Sequence, residues 1–206
     1  MKDKRKNFQI VLFLAAVWGG LEASLGYVLH FLPPGFSGMF MFPLAFWLMY
    51  NAWRRTGSRS AVLVMGIIAA ALKCADLLLP LRSAMSVINP VSSILLESLA
   101  VFAIVKAVEK RHIVLPVFAA GLLWISAFTF IQTYVLRPPA GLWLQPLHVQ
   151  AGTVFLTAGV STVFISLYLI RRTETAARPL PAMHGFVLPA LALGTALALE
   201  LLNSLI

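Results

Sequence analysis

The sequence predicts an all-α fold, a polytopic transmembrane helical bundle of six to seven spans that forms one integral membrane domain over residues 1–206. Three observations carry this. Of 206 residues, 60% are hydrophobic and only 11% charged, a balance outside the range of soluble domains. The apolar residues fall in runs as long as a helix needs to cross the hydrocarbon core, about 20 residues. The lysines and arginines gather in alternate loops, as expected of a chain threaded back and forth through a bilayer.

Seven runs qualify as spans, near 8–31, 36–53, 60–80, 88–108, 112–136, 147–170 and 184–205. The loops between them are short, and many carry Pro, Gly or Arg, which punctuate helices. The first run follows a basic stretch, Lys2-Asp3-Lys4-Arg5-Lys6, like the start of a signal peptide. No small-x-small cleavage site closes it before Glu22, so an uncleaved first span is expected. Cys74 is the only cysteine, which excludes an intramolecular disulfide and a cysteine metal site and predicts a small buried residue.

The charges set the orientation. Lys2, Lys4, Arg5 and Lys6 lie in the N-terminal tail, and Arg54, Arg55 and Arg59 between the second and third spans. Lys106, Lys110 and Arg111 lie between the fourth and fifth, and Arg171, Arg172 and Arg178 between the sixth and seventh. All of these share one side; the other has only Arg82 and Arg137, with Lys73 inside a span. The expected topology is a cytoplasmic N-terminus and, with seven spans, an outer C-terminus. The same placement accounts for the net charge of +9 without a nucleic-acid partner, and leaves the basic loops to meet anionic membrane lipid or an acidic partner.

The first span departs most from a plain membrane helix. It carries small residues in two rows at four-residue spacing, Ala15, Gly19, Ala23 and Ala16, Gly20, Ser24. Such rows let a second helix approach closely in lipid, either within the chain or as a docking surface for a separate membrane subunit. Trp18, Glu22, Gly26 and His30 also recur every four residues and share one face. The turn Pro33-Pro34-Gly35-Phe36-Ser37-Gly38 follows on the outer side, either as a ligand loop or as a tight connection.

Lys73, with Asp76 at i+3, lies in the third span, and Asn89, Ser93 and Glu97 form a polar row in the fourth. At about 1.5 Å per residue, Glu22, Lys73 and Glu97 come to comparable depth near the midplane or in the outer half. Ionisable groups at that depth do not face lipid. They form either an ion-pair cluster that pins the bundle or the floor of an outward-facing pocket built from Glu22, His30, Lys73, Asn89 and Glu97. Two carboxylates against one lysine leave a negative charge that a proton or a cationic ligand would balance.

The remaining spans add neutral polarity: Ser126, Thr129 and Thr133 in the fifth, and Gln150, Thr153, Thr157 and Ser161 in the sixth. Taken singly, such hydroxyls are expected to bond their own backbone. His148 is an interface residue, and no histidine has the spacing of a zinc site. In the last span Glu200 is expected to snorkel outward. No nucleotide, hydrolase or cofactor motif is present, so the expectation is no enzyme, no cofactor and no metal.

The pattern Trp18-x-x-Leu21-Glu22-x-x-Leu25-Gly26-x-x-Leu29-His30, then Pro34-Gly35-Phe36-Ser37-Gly38, the stretch from Gly66 to Lys73, and Ile94-Leu95-Leu96-Glu97 resembles a group of small bacterial membrane proteins. That group is similar to the substrate-binding S components of energy-coupling factor (ECF) transporters. The resemblance implies a bundle that captures a vitamin, metal or other micronutrient from outside. It also implies docking through Ala15, Gly19 and Ala23, or their neighbours, on a transmembrane coupling subunit driven by separate ATPases, and a loop after the first span that helps close the pocket. The leading expectation is thus a substrate-capture subunit for a small-molecule solute. A stand-alone proton-coupled permease, and an integral membrane enzyme or assembly factor using Glu22 and His30, are the alternatives.

Overall fold

The structure, a computed structural model, describes residues 2–29, 31–32, 36–78, 84–109, 113–138, 141–174 and 187–205. These residues are helical nearly throughout, in seven rods. Helix α1 (Lys2–Leu21) runs on through a π-helical turn, Glu22–Gly26, into Tyr27–Leu29. It is followed by α2 (Phe36–Thr56), α3 (Ser60–Cys74, then a 3₁₀ turn Ala75–Leu78) and α4 (Ala84–Ile104, then Ala107–Glu109). Next come α5 (Val114–Ile131, then a second π-turn Gln132–Leu136), α6 (Leu147–Glu174) and α7 (Val187–Leu205). The rods match the seven apolar runs, although α1 and α4 begin earlier than hydropathy alone suggests and α6 ends later.

Five stretches have the length and apolarity to cross a membrane: Lys4–Gly26, Ser60–Leu77, Ala84–Ile104, Val114–Leu136 and Leu147–Tyr168. In α7 the apolar part is Val187–Leu199. Helix α2 is diluted by Ser37, Gly38, Asn51 and its Trp and Tyr residues, and its position explains why that is tolerated. It packs on α1, α3, α4 and α6, and buries Met39, Met41, Phe42, Ala45, Phe46, Leu48, Met49, Asn51, Ala52 and Trp53. Most of its surface therefore meets protein instead of lipid. The other helices follow one another around it in the order α6, α5, α4, α3, α1, with α7 outermost against α1.

Cross-ties fix the up-and-down arrangement. At one end Asn7 Nδ2 donates to the Thr56 carbonyl at 3.4 Å, Asn51 Nδ2 to the Tyr168 hydroxyl at 3.4 Å, and Arg59 to the Phe102 carbonyl, with its guanidinium 4.3 Å above the Phe102 ring. At the other end Gln132 Nε2 donates to Asn89 Oδ1 at 2.9 Å. Helix α2 stops at Gly57, whose N–H bonds the Trp53 carbonyl at 2.8 Å and whose φ of +67° only glycine adopts freely.

Two prolines sit inside helices, Pro43 in α2 and Pro90 in α4. Proline has no N–H for the carbonyl four residues earlier. For Pro43 that carbonyl belongs to Met39, and Ser161 Oγ on α6 donates to it at 3.4 Å, so a neighbouring helix supplies the missing bond. Close approaches lock the remaining faces. A Cβ on Gly66 would overlap Ser98 of α4, and one on Gly121 would come within 3.2 Å of the Ala158 Cα on α6.

The first small-residue row of α1 is consumed inside the chain, whereas Ser24 of the second is exposed. Ala15 and Ala23 are fully buried, and a Cβ at Gly19 would sit 2.8 Å from Leu72 of α3 and 3.8 Å from Ala196 of α7. The expected docking surface of Ala15, Gly19 and Ala23 is thus corrected: α3 and α7 already occupy it, because Leu72 and Ala196 supply the side chains that such a groove accommodates. Cys74 is also a correction, for it is exposed on the bundle surface.

Candidate functional site

A cavity of about 270 Å³ opens among the ends of α1, α2, α4 and α5 and the short 3₁₀ turn Leu142–Leu144. This is the end of the bundle opposite Thr56, Arg59 and Phe102. Its walls combine apolar side chains (Leu29, Leu32, Met41, Trp124, Ile125, Phe128, Leu142) with polar ones (Glu22, Ser37, Asn89, Ser93, Glu97, Gln132).

The polar groups come from four helices, α1, α2, α4 and α5. On α4, Asn89, Ser93 and Glu97 recur at four-residue spacing, which lines them up along about 12 Å of one face. Glu97 is buried at 2% exposure. Ser93 Oγ donates to its Oε1 at 2.9 Å, while Oε2 is buried with no hydrogen-bond partner. On α1, Glu22 Oε1 accepts a bond of 3.2 Å from Trp18 Nε1, the residue one turn earlier on the same face. On α5, Gln132 is held by its bond to Asn89.

Both π-turns lie at this cavity. Glu22 opens the first and Gln132 the second, and the cavity-lining Gly26 closes the first. A π-turn inserts an extra residue into the helical repeat, re-aims the side chains that follow, and costs hydrogen-bond geometry, so its presence twice at one cavity marks a shaped site. The second turn ends at Arg137, in a left-handed conformation with φ of 45°, whose N–H returns to the Gln132 carbonyl at 2.9 Å.

The aromatic wall is equally constrained. Trp124 stacks on Phe42 with ring centroids 4.9 Å apart and 7° between planes, and lies near-parallel to Phe128 at 6.5 Å. Gly38 presses against the indole edge so closely that a Cβ there would overlap the ring. The indole N–H of Trp124 is buried with no hydrogen-bond partner.

Of the sequence-derived site, the structure brings Glu22, Asn89 and Glu97 together. Lys73 is not part of it: its Nζ lies 2.9 Å from Asp76 Oδ2, Asp76 is 2% exposed, and Lys73 does not line the cavity. The nearby i+3 carboxylate claims the ammonium, so the ion pair is local to the end of α3. His30 and the turn residues Pro33, Pro34 and Gly35 lie outside the described residues, as do Arg82, Lys110, Arg111, Arg178 and His184. The side chain of Glu200 likewise lies outside them. Ser37 and Gly38 form the first turn of α2 and do line the cavity.

Gln132, Trp124 and Phe128 were not legible as site residues; the only sequence signal was a glutamine inside an apolar span. The hydroxyl stripe of α5 behaves locally, whereas in the α6 stripe Ser161 reaches the Met39 carbonyl of α2 and Thr157 Oγ1 is buried without a hydrogen-bond partner. Thr129 Oγ1 bonds the Ile125 carbonyl and Thr133 Oγ1 the Thr129 carbonyl, both at 2.8 Å, and Ser126 is exposed. Gln150 Nε2 ties down the preceding loop through the carbonyls of Gln145 at 2.8 Å and Trp143 at 3.1 Å. His148 is exposed. Among the described residues no group of three His, Cys, Asp or Glu side chains converges as a metal site.

No protein-family model, curated protein or solved structure matches the chain.

Proposed function

We propose that the chain is the membrane-embedded substrate-capture subunit of a micronutrient uptake transporter, similar to an S component of an ECF transporter. In this proposal it has seven spans and a cytoplasmic N-terminus in a bacterial cytoplasmic membrane. It takes a small solute into the cavity from the outer side and relies on partner subunits for the ATP-driven step. It is not an enzyme: the carboxyl groups hold a ligand.

One observation carries the proposal. Polar groups of α1, α4 and α5 converge on a cavity of about 270 Å³ at the end of the bundle away from the basic loops. Buried polar groups in membrane helices are costly, and such sites mark solute or ion pathways. The volume falls just below the range of about 300–1,000 Å³ for pockets of drug-sized ligands, which suits a small metabolite. A coupling subunit that used the small-residue face of α1 would have to displace α7.

The test is thermal unfolding of the purified full chain across a panel of vitamins, metals, amines and nucleobases, for wild type and Glu22→Gln. A specific ligand at 100 times its dissociation constant adds about 2.7 kcal/mol to the native state. A shift with one solute, lost in the variant, supports capture in this cavity, and recovery of a coupling subunit and ATPases with the tagged chain supports the partner-driven step. A flat response across the panel, with no such partners recovered, overturns the proposal.

A further inference from the structure

We propose that the basic end of the bundle is a binding rim for anionic phospholipid, with Lys4 and Lys6 of α1 and Lys106 beyond α4 holding the headgroup phosphates. The rim is separate from the cavity, and its role does not depend on the capture reading.

The charge of this chain is concentrated at one end. By sequence, thirteen of the 16 lysines and arginines flank the helix ends on the side of Thr56, Arg59 and Phe102, against three of the seven acidic residues, Asp3, Glu109 and Glu174. That is a formal excess of ten positive charges in a chain whose net charge is +9, so the rest of the molecule sums to a single negative charge. The bias that orients a chain during insertion persists in the folded bundle, where like charges repel one another unless anions offset them. The packing gathers these charges: Asn7 bonds the Thr56 carbonyl and Arg59 the Phe102 carbonyl, which bring the start of α1 to the end of α2 and the start of α3 to the end of α4. Arg59 is used in that tie, with its guanidinium over the Phe102 ring, whereas Lys4, Lys6 and Lys106 are exposed.

Depth and spacing favour lipid over an acidic protein. Lys4 and Lys6 precede the exposed Phe8 by one turn or less, about 3–6 Å along the helix. Lys106 follows Ile104, the last residue of the α4 span, on a helix whose Leu99 is exposed. A lysine at that level lays its carbon stem along apolar surface and sets its ammonium among the headgroups. Helix α3 stands between α1 and α4 around the bundle, so the lysines are spread along the perimeter. Separate small headgroups reach such positions, and one flat protein epitope does not. A zwitterionic headgroup brings its own cation to the rim, so the excess positive charge selects headgroups that carry none. Each lysine or arginine near an anionic surface contributes a preference of roughly fivefold.

The test places the full chain in nanodiscs of equal phosphatidylcholine and phosphatidylglycerol and reads the lipids it retains by native mass spectrometry. Phosphatidylglycerol is expected to be enriched at least fivefold over phosphatidylcholine. Replacing Lys4, Lys6 and Lys106 together by glutamine should cut that enrichment at least threefold, roughly the loss of one to three such contacts. Arg137→Gln, an exposed cation at the other end of the bundle, should leave it unchanged. Equal retention of the two lipids by the wild type, or an enrichment that survives the triple replacement, overturns the inference. A second arm follows thermal unfolding of the wild type in phosphatidylcholine nanodiscs. A shift on adding poly-L-glutamate, with none on introducing phosphatidylglycerol, would assign the rim to an acidic protein and the lipid inference falls. Neither result touches the cavity, so the capture reading is judged by its own solute panel.

Discussion

Replacing Ser161 by alanine tests how the bundle tolerates a proline in its most buried helix. In the wild type, Pro43 offers no N–H to the Met39 carbonyl, and Ser161 Oγ reaches it at 3.4 Å from α6. Ser161 is 1% exposed, so no bulk water replaces it after truncation. An orphaned buried acceptor costs about 1–3 kcal/mol, but the bond is long and interhelical bonds in membranes average about 0.6 kcal/mol. The expected loss for Ser161→Ala is therefore about 1 kcal/mol. In a Pro43→Ala background the new N–H closes the helical bond to Met39 itself, and Ser161→Ala should then cost under about 0.5 kcal/mol. The assay is SDS titration of the four proteins in mixed micelles, followed by tryptophan fluorescence. Equal costs of Ser161→Ala in the two backgrounds would show that Ser161 does not repair the proline gap, and would refute the reasoning.

Gly38→Ala forces a methyl group into the edge of the Trp124 ring, whose face is held by the stack with Phe42, and the overpacking should cost about 1–3 kcal/mol in the same titration. Part of that loss should return in a Trp124→Phe background; no recovery would place the strain elsewhere. Asp76→Asn weakens the ion pair with Lys73 and should lower stability by about 1–3 kcal/mol while leaving the stabilisation by a solute bound in the cavity unchanged. A matching loss of binding would tie that pair to the site after all.

Much of this architecture is legible in the sequence because membrane helices are set by length and apolarity, quantities that need no partner. The row of Asn89, Ser93 and Glu97 was legible for the same reason, since four-residue spacing on one helix guarantees a common face. Lys73 was misplaced because depth along a helix says nothing about rotation around it, and Asp76 at i+3 competes at shorter range than any residue of another helix. The bond between Gln132 and Asn89 joins residues 43 apart, and the stack of Phe42 on Trp124 crosses from α2 to α5; both exist only once the helices are packed. The π-turns at Glu22 and Gln132 leave no mark in periodicity, because each alters the repeat by one residue within a single turn. Likewise the small-residue rows of α1 could announce a close helix neighbour but not its identity, which proved to be α3 and, from the far end of the chain, α7.

The burial of α2 also bears on how the chain is made. Helices α1, α3, α4, α5 and α6 are each long and apolar enough to be stable in lipid as soon as they leave the ribosome and the insertion machinery. Helix α2, with Asn51 and its aromatic-rich, proline-interrupted sequence, is suited to contact with protein, and three of its walls, α3, α4 and α6, are synthesised after it. Its first companions are α1 and, shortly after, α3, the helices on either side of it in the chain. Biogenesis of this bundle is therefore a matter of holding an under-apolar segment beside α1 until the later helices arrive to enclose it, and the cavity that α2 helps to line is complete only when α5 is in place.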